Sequence, residues 1–288
     1  MGRRLVIVTG PTGVGKTAYA IDLALRCGSP VINCDSRQFY KEMTIGTAVP
    51  SPEELAAVPH YFIQTRSVRE LYTAGMYELD AIALIEDLFA RGHETLVMCG
   101  GSGFYIDAVC NGLDAVPPAD EQLRSELAAR LAAEGVESLR MDLRRLDPEA
   151  YDTIDIANPA RVLRALEVCL LSGRSFTSFK LSAPKQRSFE IEKICLWRPR
   201  EALYARIDRR VLQMIDDGLV DEVRGLLPLR DCTALKTVGY REIFEWLDHD
   251  GEMSLDEAIG RIQTNTRHYA KKQLSWWRRD PSVRWVEI

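Results

Sequence analysis

The sequence has no Cys-x-x-Cys pair. Its seven cysteines are scattered at 27, 34, 99, 110, 169, 195 and 232, and only four histidines are present to join them. That argues against a zinc site, and an odd count of unpaired thiols points to a reducing, cytoplasmic setting. No apolar run reaches the length of a membrane-spanning helix, so a membrane partner is not expected. The chain enters an apolar, strand-like run within a few residues of its start, which leaves no room for a signal sequence. Positive charge is not in excess either. Lys and Arg number 37 against 42 Asp and Glu, a net charge of −5. No global basic field announces nucleic acid, so any such contact must come from a local patch. What remains is an ordinary globular composition, 46% hydrophobic over 288 residues, enough for one large domain or for a core with an insertion.

The most informative stretch lies at the N-terminus. Leu5 to Val8 reads as a buried strand. Gly10-Pro11-Thr12-Gly13-Val14-Gly15-Lys16-Thr17 follows, with two glycines in phosphate-loop spacing before Lys-Thr. An apolar-periodic helix runs from Lys16 to Arg26. Glycines let successive backbone N–H groups turn around an anion, and the helix N-terminus adds partial positive charge. Lys16 supplies a mobile point charge, and Thr17 offers a hydroxyl to a phosphate-bound Mg²⁺. The chain therefore handles a di- or triphosphate. The loop alone does not say what is done with it.

A second strand, Val31 to Cys34, ends at Asp35-Ser36-Arg37-Gln38, where an open α/β sheet collects ligand-binding residues. A lone Asp there is usually a solvated turn residue. One βα unit after a phosphate loop, Asp35 is a candidate functional carboxylate. Residues 39–50 read as a loop, Pro52 to Val58 as a short helix, His60 to Gln64 as extended, and Thr73 to Arg91 as an amphipathic helix. A third strand, Thr95 to Cys99, is followed by Gly100-Gly101-Ser102-Gly103 and a helix to Cys110. That glycine cluster is either a second anion cradle or a site of tight packing.

Composition shifts near Asp114. From 114 to 155 there are eleven acidic against five basic residues, with no strand pattern. Helices are expected at Asp120 to Ala133, Ser138 to Arg145, Pro148 to Thr153 and, capped by Asn158, up to Leu171. Arg161 and Arg164 share one side of the last, either paired with Glu167 or free for a ligand. This block, with few apolar residues demanding burial in the core, reads as an inserted helical subdomain over 115–185. It is expected to move as a unit. Strand character returns at Ile191 to Trp197. Helices follow at Arg200 to Gly218, Leu219 to Leu227, Thr237 to Trp246 and Ser254 to Arg278, the last with a capping box at Ser254 and Glu257. In the first of these, Arg206 and Arg210 stand one turn apart, as decoration or as a fork for an anion. From Arg261 to Arg279 there are six Lys or Arg and no acid, with His268, Tyr269, Trp276 and Trp277 interleaved. In an acidic chain this fits a phosphate-backbone surface with stacking groups, Arg267, Lys271 and Lys272 among the contacts.

Collinear with these features are further motifs: Tyr40 with Ile45-Gly-Thr-Ala48, Gly100-Gly-Ser-Gly-Phe-Tyr105, Arg206-Ile-Asp-Arg-Arg210, Gly218-Leu-Val-Asp-Glu222, Gly239-Tyr-Arg-Glu242 and Thr266-Arg-His-Tyr-Ala-Lys-Lys-Gln273. Together they make the chain resemble the tRNA isopentenyltransferase (tRNA dimethylallyltransferase) family through nearly its whole length. The resemblance implies an α/β fold with a phosphate-loop-NTPase-like parallel sheet, residues 1–114 and 186–288, carrying the helical insertion. It implies transfer of a dimethylallyl group from dimethylallyl diphosphate to N6 of the adenosine 3′ of the anticodon in tRNA. Asp35 would be the general base, residues 10–17 the diphosphate cradle with Mg²⁺ at Thr17, and Arg210 the stabiliser of the leaving group. Residues 35–38, Ser102, Arg124 and Ala160-Arg161-Val162-Leu163-Arg164 would touch tRNA. The insertion would close over the anticodon stem-loop, and the protein would act as a monomer. Ala160 stands where the family commonly has Gln, Val49 where it commonly has Lys, and Ser102-Gly-Phe where it often has Thr-Gly-Leu. An adenylate isopentenyltransferase or a small-molecule kinase on the same loop are the rival readings. Neither has an evident use for the basic terminal helix.

Overall fold

Buried parallel strands read as short apolar runs because both faces are covered, and β1 (Arg4–Thr9) follows that rule. Leu5 and Ile7 join one apolar cluster, Val6 and Val8 the other, on opposite faces of the sheet. The structure is a computed structural model and describes residues 2–180, 183–248 and 253–288. After β1 come α1 (Lys16–Cys27), β2 (Val31–Asn33), α2 (Pro52–Ala57), β3 (His60–Tyr61), α3 (Ala74–Ala90), β4 (Thr95–Cys99) and α4 (Gly103–Asn111). Then follow α5 (Glu121–Glu134), α6 (Val136–Leu146), α7 (Pro148–Thr153), α8 (Pro159–Ser172) and β5 (Glu190–Trp197). The chain ends with α9 (Arg200–Asp216), α10 (Leu219–Gly225), α11 (Tyr240–Asp248), α12 (Leu255–Trp277) and β6 (Arg284–Glu287).

The strands form one parallel sheet in the order β3-β2-β4-β1-β5-β6. From β1 the chain builds β2, β3 and β4 to one side and β5 and β6 to the other. The carboxyl end of β1 is thus the topological switch point, where open α/β sheets bind ligands. Register brings the functional turns to that edge. Val8 pairs with Cys99, Asn33 also with Cys99, and Thr9 with Cys195. The phosphate loop, Asp35, Gly100 and Arg198 therefore leave the sheet side by side. β6 went unread in the sequence. It is a four-residue edge strand with three exposed positions, too short and too polar for an alternation signal.

The chain divides into two compact units, Met1–Asn111 with Gln186–Ile288, and Gly112–Lys185. Residues 181–182 of the expected insertion lie outside the described residues. The smaller unit, α5 to α8, is not poor in buried apolar residues. Leu127, Leu139, Leu143, Val162, Ala165 and Leu166 form its own core. At its centre Glu167, 1% exposed, accepts from Arg124 at 3.0 Å, Arg164 at 2.7 Å and the backbone N–H of Asp120 at 3.0 Å. Glu167→Ala should destabilise this unit by on the order of 2–4 kcal/mol. The range sits low for a broken buried pair because both arginines keep some solvent. Urea denaturation read by hydrogen exchange in residues 121–172 measures it. Unchanged protection there would mean that the triad contributes nothing.

Candidate active site

The phosphate loop is held by cations on its carbonyl side. Lys16 Nζ donates to the carbonyls of Gly10 at 3.1 Å and Pro11 at 3.0 Å. Arg206 Nε donates to Gly13 O and Arg198 Nε to Val14 O, each at 3.0 Å. With carbonyls turned toward these groups, the N–H groups of Gly13 and Gly15 meet no acceptor among the described residues. They and the first turn of α1 leave backbone donors open, the kind of group that receives an anion at a helix N-terminus. Gly15, the residue that caps α1, has φ +111°, a value an L-side chain rarely adopts. Val14 is fully buried in the core and its N–H is used on Pro11 O at 3.3 Å, so its part in the loop is structural.

A cavity of about 690 Å³ opens over the loop, lined by Lys16, Thr17, Asp35, Gln38, Arg206, Arg209 and Arg210 among others. A smaller one, about 190 Å³, is lined by Arg37, Thr237, Gly239, Thr266 and Tyr269. The two share Thr12, Asp35, Thr47 and Arg210 as lining residues. Asp35 and Arg210 are therefore reachable from both sides.

Asp35 sits in a turn that fixes its carboxylate. Its backbone N–H donates to Asn33 Oδ1 at 3.2 Å, and its Oδ1 accepts the Arg37 N–H at 3.0 Å. Oδ2 has no hydrogen bond among the described residues. Burial lowers Lys16 from the ordinary lysine value, and the nearby Cys99 and Asp35 partly restore it. Burial likewise lowers Arg210, with Asp35 opposing and Arg206 adding to the shift. The base candidate thus stands between two cations in a poorly solvated place. Arg210 Nη2 donates to Thr12 Oγ1 at 2.5 Å, so α9 does pack on the loop.

Several expected ligand contacts are occupied within the chain. Ser102 Oγ accepts the Ser36 N–H at 2.9 Å and donates to Ser36 Oγ at 3.0 Å, holding the 35–38 turn against β4. Gln38 Nε2 donates to the carbonyls of Thr47 at 3.1 Å and Ala48 at 2.8 Å, which steadies Ala48 at φ +51°. Arg37 has no ion pair among the described residues and faces the smaller cavity. The Gly100–Gly103 cluster is closely packed, and Gly100 also lines the larger cavity. A Cβ on Gly100 would lie 2.3 Å from the Cys34 backbone, one on Gly101 2.3 Å from Gln273 Nε2, and one on Gly103 2.5 Å from Trp276 Nε1.

The basic terminal helix is also more structural than its composition implied. Arg267 pairs with Asp208 of α9 at 2.9 Å, and Arg261 with Glu245 of α11 at 3.1 Å. Trp277 is 1% exposed and Trp276 Nε1 donates to Asp107 at 3.1 Å, so these aromatics are not free stacking surfaces. Lys271, Lys272 and Tyr269 remain exposed. In the smaller unit Ala160 and Arg161 are exposed, Arg124 and Arg164 share Glu167, and Leu163 is half-buried. Val162 is fully buried, so its side chain is not available to tRNA; that expectation is corrected. The apolar period of α8 gave the signal for this, since Val162, Ala165, Leu166 and Cys169 make one stripe.

Two supporting residues, each the last of a motif quoted above, had no role assigned from the sequence. Glu222 accepts from the N–H groups of Thr44 at 3.0 Å, Ile45 at 2.8 Å and Gly46 at 3.0 Å, and from Tyr240 Oη at 2.6 Å. This fixes the loop that presents Thr47 to both cavities. Gln273 bonds the Thr12 N–H at 2.8 Å and the Gly101 carbonyl at 2.9 Å.

The family profile for IPP transferase matches residues 38–280. A protein of Porphyromonas gingivalis named tRNA dimethylallyltransferase 2 is 50% identical over 281 residues, covering 98% of this chain and 93% of that one. A tRNA dimethylallyltransferase of Christiangramia forsetii is 45% identical over 288 residues, covering 100% and 94%. The crystal structure of a tRNA isopentenylpyrophosphate transferase of Bacillus halodurans superposes with a TM-score of 0.72 at 37% identity, covering 99% and 90%. A eukaryotic dimethylallyltransferase acting on tRNA shares the fold at a TM-score of 0.83 and 24% identity, covering 99% and 74%.

Proposed function

The chain belongs to the IPP transferase family, and on that premise we propose that it transfers a dimethylallyl group from dimethylallyl diphosphate to N6 of the adenosine 3′ of the anticodon in tRNA. The observation that carries the reading is the pair of cavities that share Asp35, Arg210, Thr12 and Thr47. A group passed between two substrates needs a point that both can reach. The diphosphate takes the loop side, held by the Gly13 and Gly15 N–H groups, Lys16 and Arg210. The adenine leaves its stack and enters from the side of Tyr269 and Arg37.

In the transfer, N6 attacks C1 of the dimethylallyl group while the bond from C1 to the diphosphate oxygen breaks. The N6 proton goes to Asp35, whose Oδ2 is free to take it. The electron pair leaves with the diphosphate. An exocyclic amine conjugated into adenine is a poor nucleophile, so a carboxylate at the transfer point lowers the barrier. Negative charge developing on the bridging oxygen meets Arg210 and Lys16, whose poor solvation strengthens the interaction. With both substrates seated, the site would keep water from capturing an allylic carbocation-like centre.

Mg²⁺ fits this site as a partner of the diphosphate. Among the described residues no group of three His, Cys, Asp or Glu can hold a metal alone. Thr17 lines the cavity beside Lys16 and would offer the ion one hydroxyl, with the diphosphate itself supplying oxygen ligands. Bound there, the ion would screen the diphosphate charge. The proposed site is drawn from a single chain, and the protein is proposed to act as a monomer. No helix among the described residues is long and apolar enough to cross a membrane. With tRNA as the acceptor, the proposed setting is the cytoplasm.

The test is mass spectrometry of tRNA incubated with the protein, Mg²⁺ and dimethylallyl diphosphate. The expected product is one dimethylallyl group on the adenosine 3′ of the anticodon, with one diphosphate released. Modification of free adenylate but not tRNA, or phosphate transfer from ATP, would overturn the assignment.

A further inference from the structure

Gln273 sits on α12, 6% exposed, and spans the two glycine-bearing turns at the sheet edge. Its Oε1 accepts the Thr12 N–H at 2.8 Å and its Nε2 donates to the Gly101 carbonyl at 2.9 Å. Both of its hydrogen-bonding ends are thus used, and both partners lie more than a hundred residues away in sequence. The bond to Thr12 has a specific consequence. It commits that N–H to the protein instead of the anion cradle, and it fixes the residue whose hydroxyl receives Arg210 at 2.5 Å. The chain of contacts is therefore Gln273 to Thr12 to Arg210. One turn before Gln273 on the same helix face, Tyr269 lines the smaller cavity.

We propose that Gln273 is a positioning residue for the diphosphate site: it holds Thr12 so that Arg210 is aimed at the diphosphate, and it ties that aim to the helix lining the acceptor cavity. The inference rests on the proposed function for the identity of the ligand, not for the geometry. Without the Gln273 acceptor the first half of the loop keeps the Lys16 bonds to the Gly10 and Pro11 carbonyls and the Val14 N–H bond to Pro11 O, but the Thr12 backbone N–H loses its tether. Arg210 then loses the fixed hydroxyl that orients its fork, and a misdirected guanidinium meets a diphosphate less well. Gly101 belongs to the same device. With any side chain there, a Cβ would stand 2.3 Å from Gln273 Nε2 and displace the amide.

A double-mutant cycle on Gln273→Leu and Arg210→Ala tests the chain of contacts. It is read by calorimetry with inorganic diphosphate and Mg²⁺, and by single-turnover transfer to tRNA. Gln273→Leu should weaken diphosphate about tenfold, the usual worth of a lost hydrogen bond whose partner stays buried, and slow transfer, with tRNA affinity unchanged. In the Arg210→Ala background the same change should cost less than about threefold, because coupled residues are not additive. Fully additive losses would overturn the proposal, since Gln273 would then act on the fold and not through Arg210. So would a loss confined to tRNA affinity. If Gln273→Leu fails to fold, Gly101→Ala displaces the same amide from the other side and should give the same non-additive pattern. Calorimetry needs no turnover. A protein that binds diphosphate with the expected coupling but modifies no tRNA would sink the proposed function and leave this inference standing.

Discussion

Asp35→Ala should lower the single-turnover rate of dimethylallyl transfer by on the order of 10²–10⁴-fold, the usual worth of a general base. Affinity for tRNA should change little. The carboxylate is already positioned, with Oδ1 accepting the Arg37 N–H, and the residue lines both cavities. Removing it leaves no other carboxylate shared by the two cavities, so no neighbouring group takes over. Asp35→Asn keeps the turn, because an amide oxygen still accepts the Arg37 N–H, and should be nearly as slow. That variant separates the chemistry from the local fold. Rapid-quench measurement with both substrates saturating isolates the chemical step from product release. Wild-type turnover in either variant would show that the N6 proton goes elsewhere.

Arg210→Ala should reduce the same rate by on the order of 10²–10³-fold, the range for removing one preorganised donor from a developing anion. It should also weaken dimethylallyl diphosphate, because the ground-state diphosphate is already charged. Arg210→Lys keeps the charge without the planar fork and should recover only part of the rate. Arg206→Ala should cost less than Arg210→Ala, since Arg206 is exposed and bonded to a loop carbonyl. The decisive comparison is kcat against KM. If Arg210→Ala raises KM with kcat unchanged, the residue binds substrate and transition state equally and does not assist departure of the diphosphate.

The helical insertion and the core differ in how they show themselves in the sequence. Caps and stripes marked α5, α7 and α8 within a residue or two, because N-caps and apolar periods are properties of neighbours along the chain. The same stripe, taken one step further, places Val162 inside. The 160–164 segment read as a block of contacts obscured that alternation. The terminal helix shows the opposite limit. Counting charges within Arg261 to Arg279 found no acid, yet Asp208 and Glu245 arrive from α9 and α11 to pair with its arginines. A charge balance taken along one segment is blind to partners brought by packing.

What the sequence by itself determined was the phosphate loop, the strand ends that flank it and the carboxylate at the second of them. All are local: a strand, a turn that only glycine tolerates and a helix follow one another within a few residues, so their geometry is written in contiguous chain. Tertiary structure alone decided which distant side chains complete the site. Arg210 meets Thr12 across 198 residues and Gln273 meets it across 261. It also decided that Gly101 and Gly103 are small because α12 passes over them, and that Glu222 holds the loop bearing Thr47. No spacing rule encodes such contacts. They exist because the parallel register of β1, β4 and β5 gathers their carboxyl ends at one edge, and because α9 and α12 bury their apolar faces against that edge, bringing their polar residues with them.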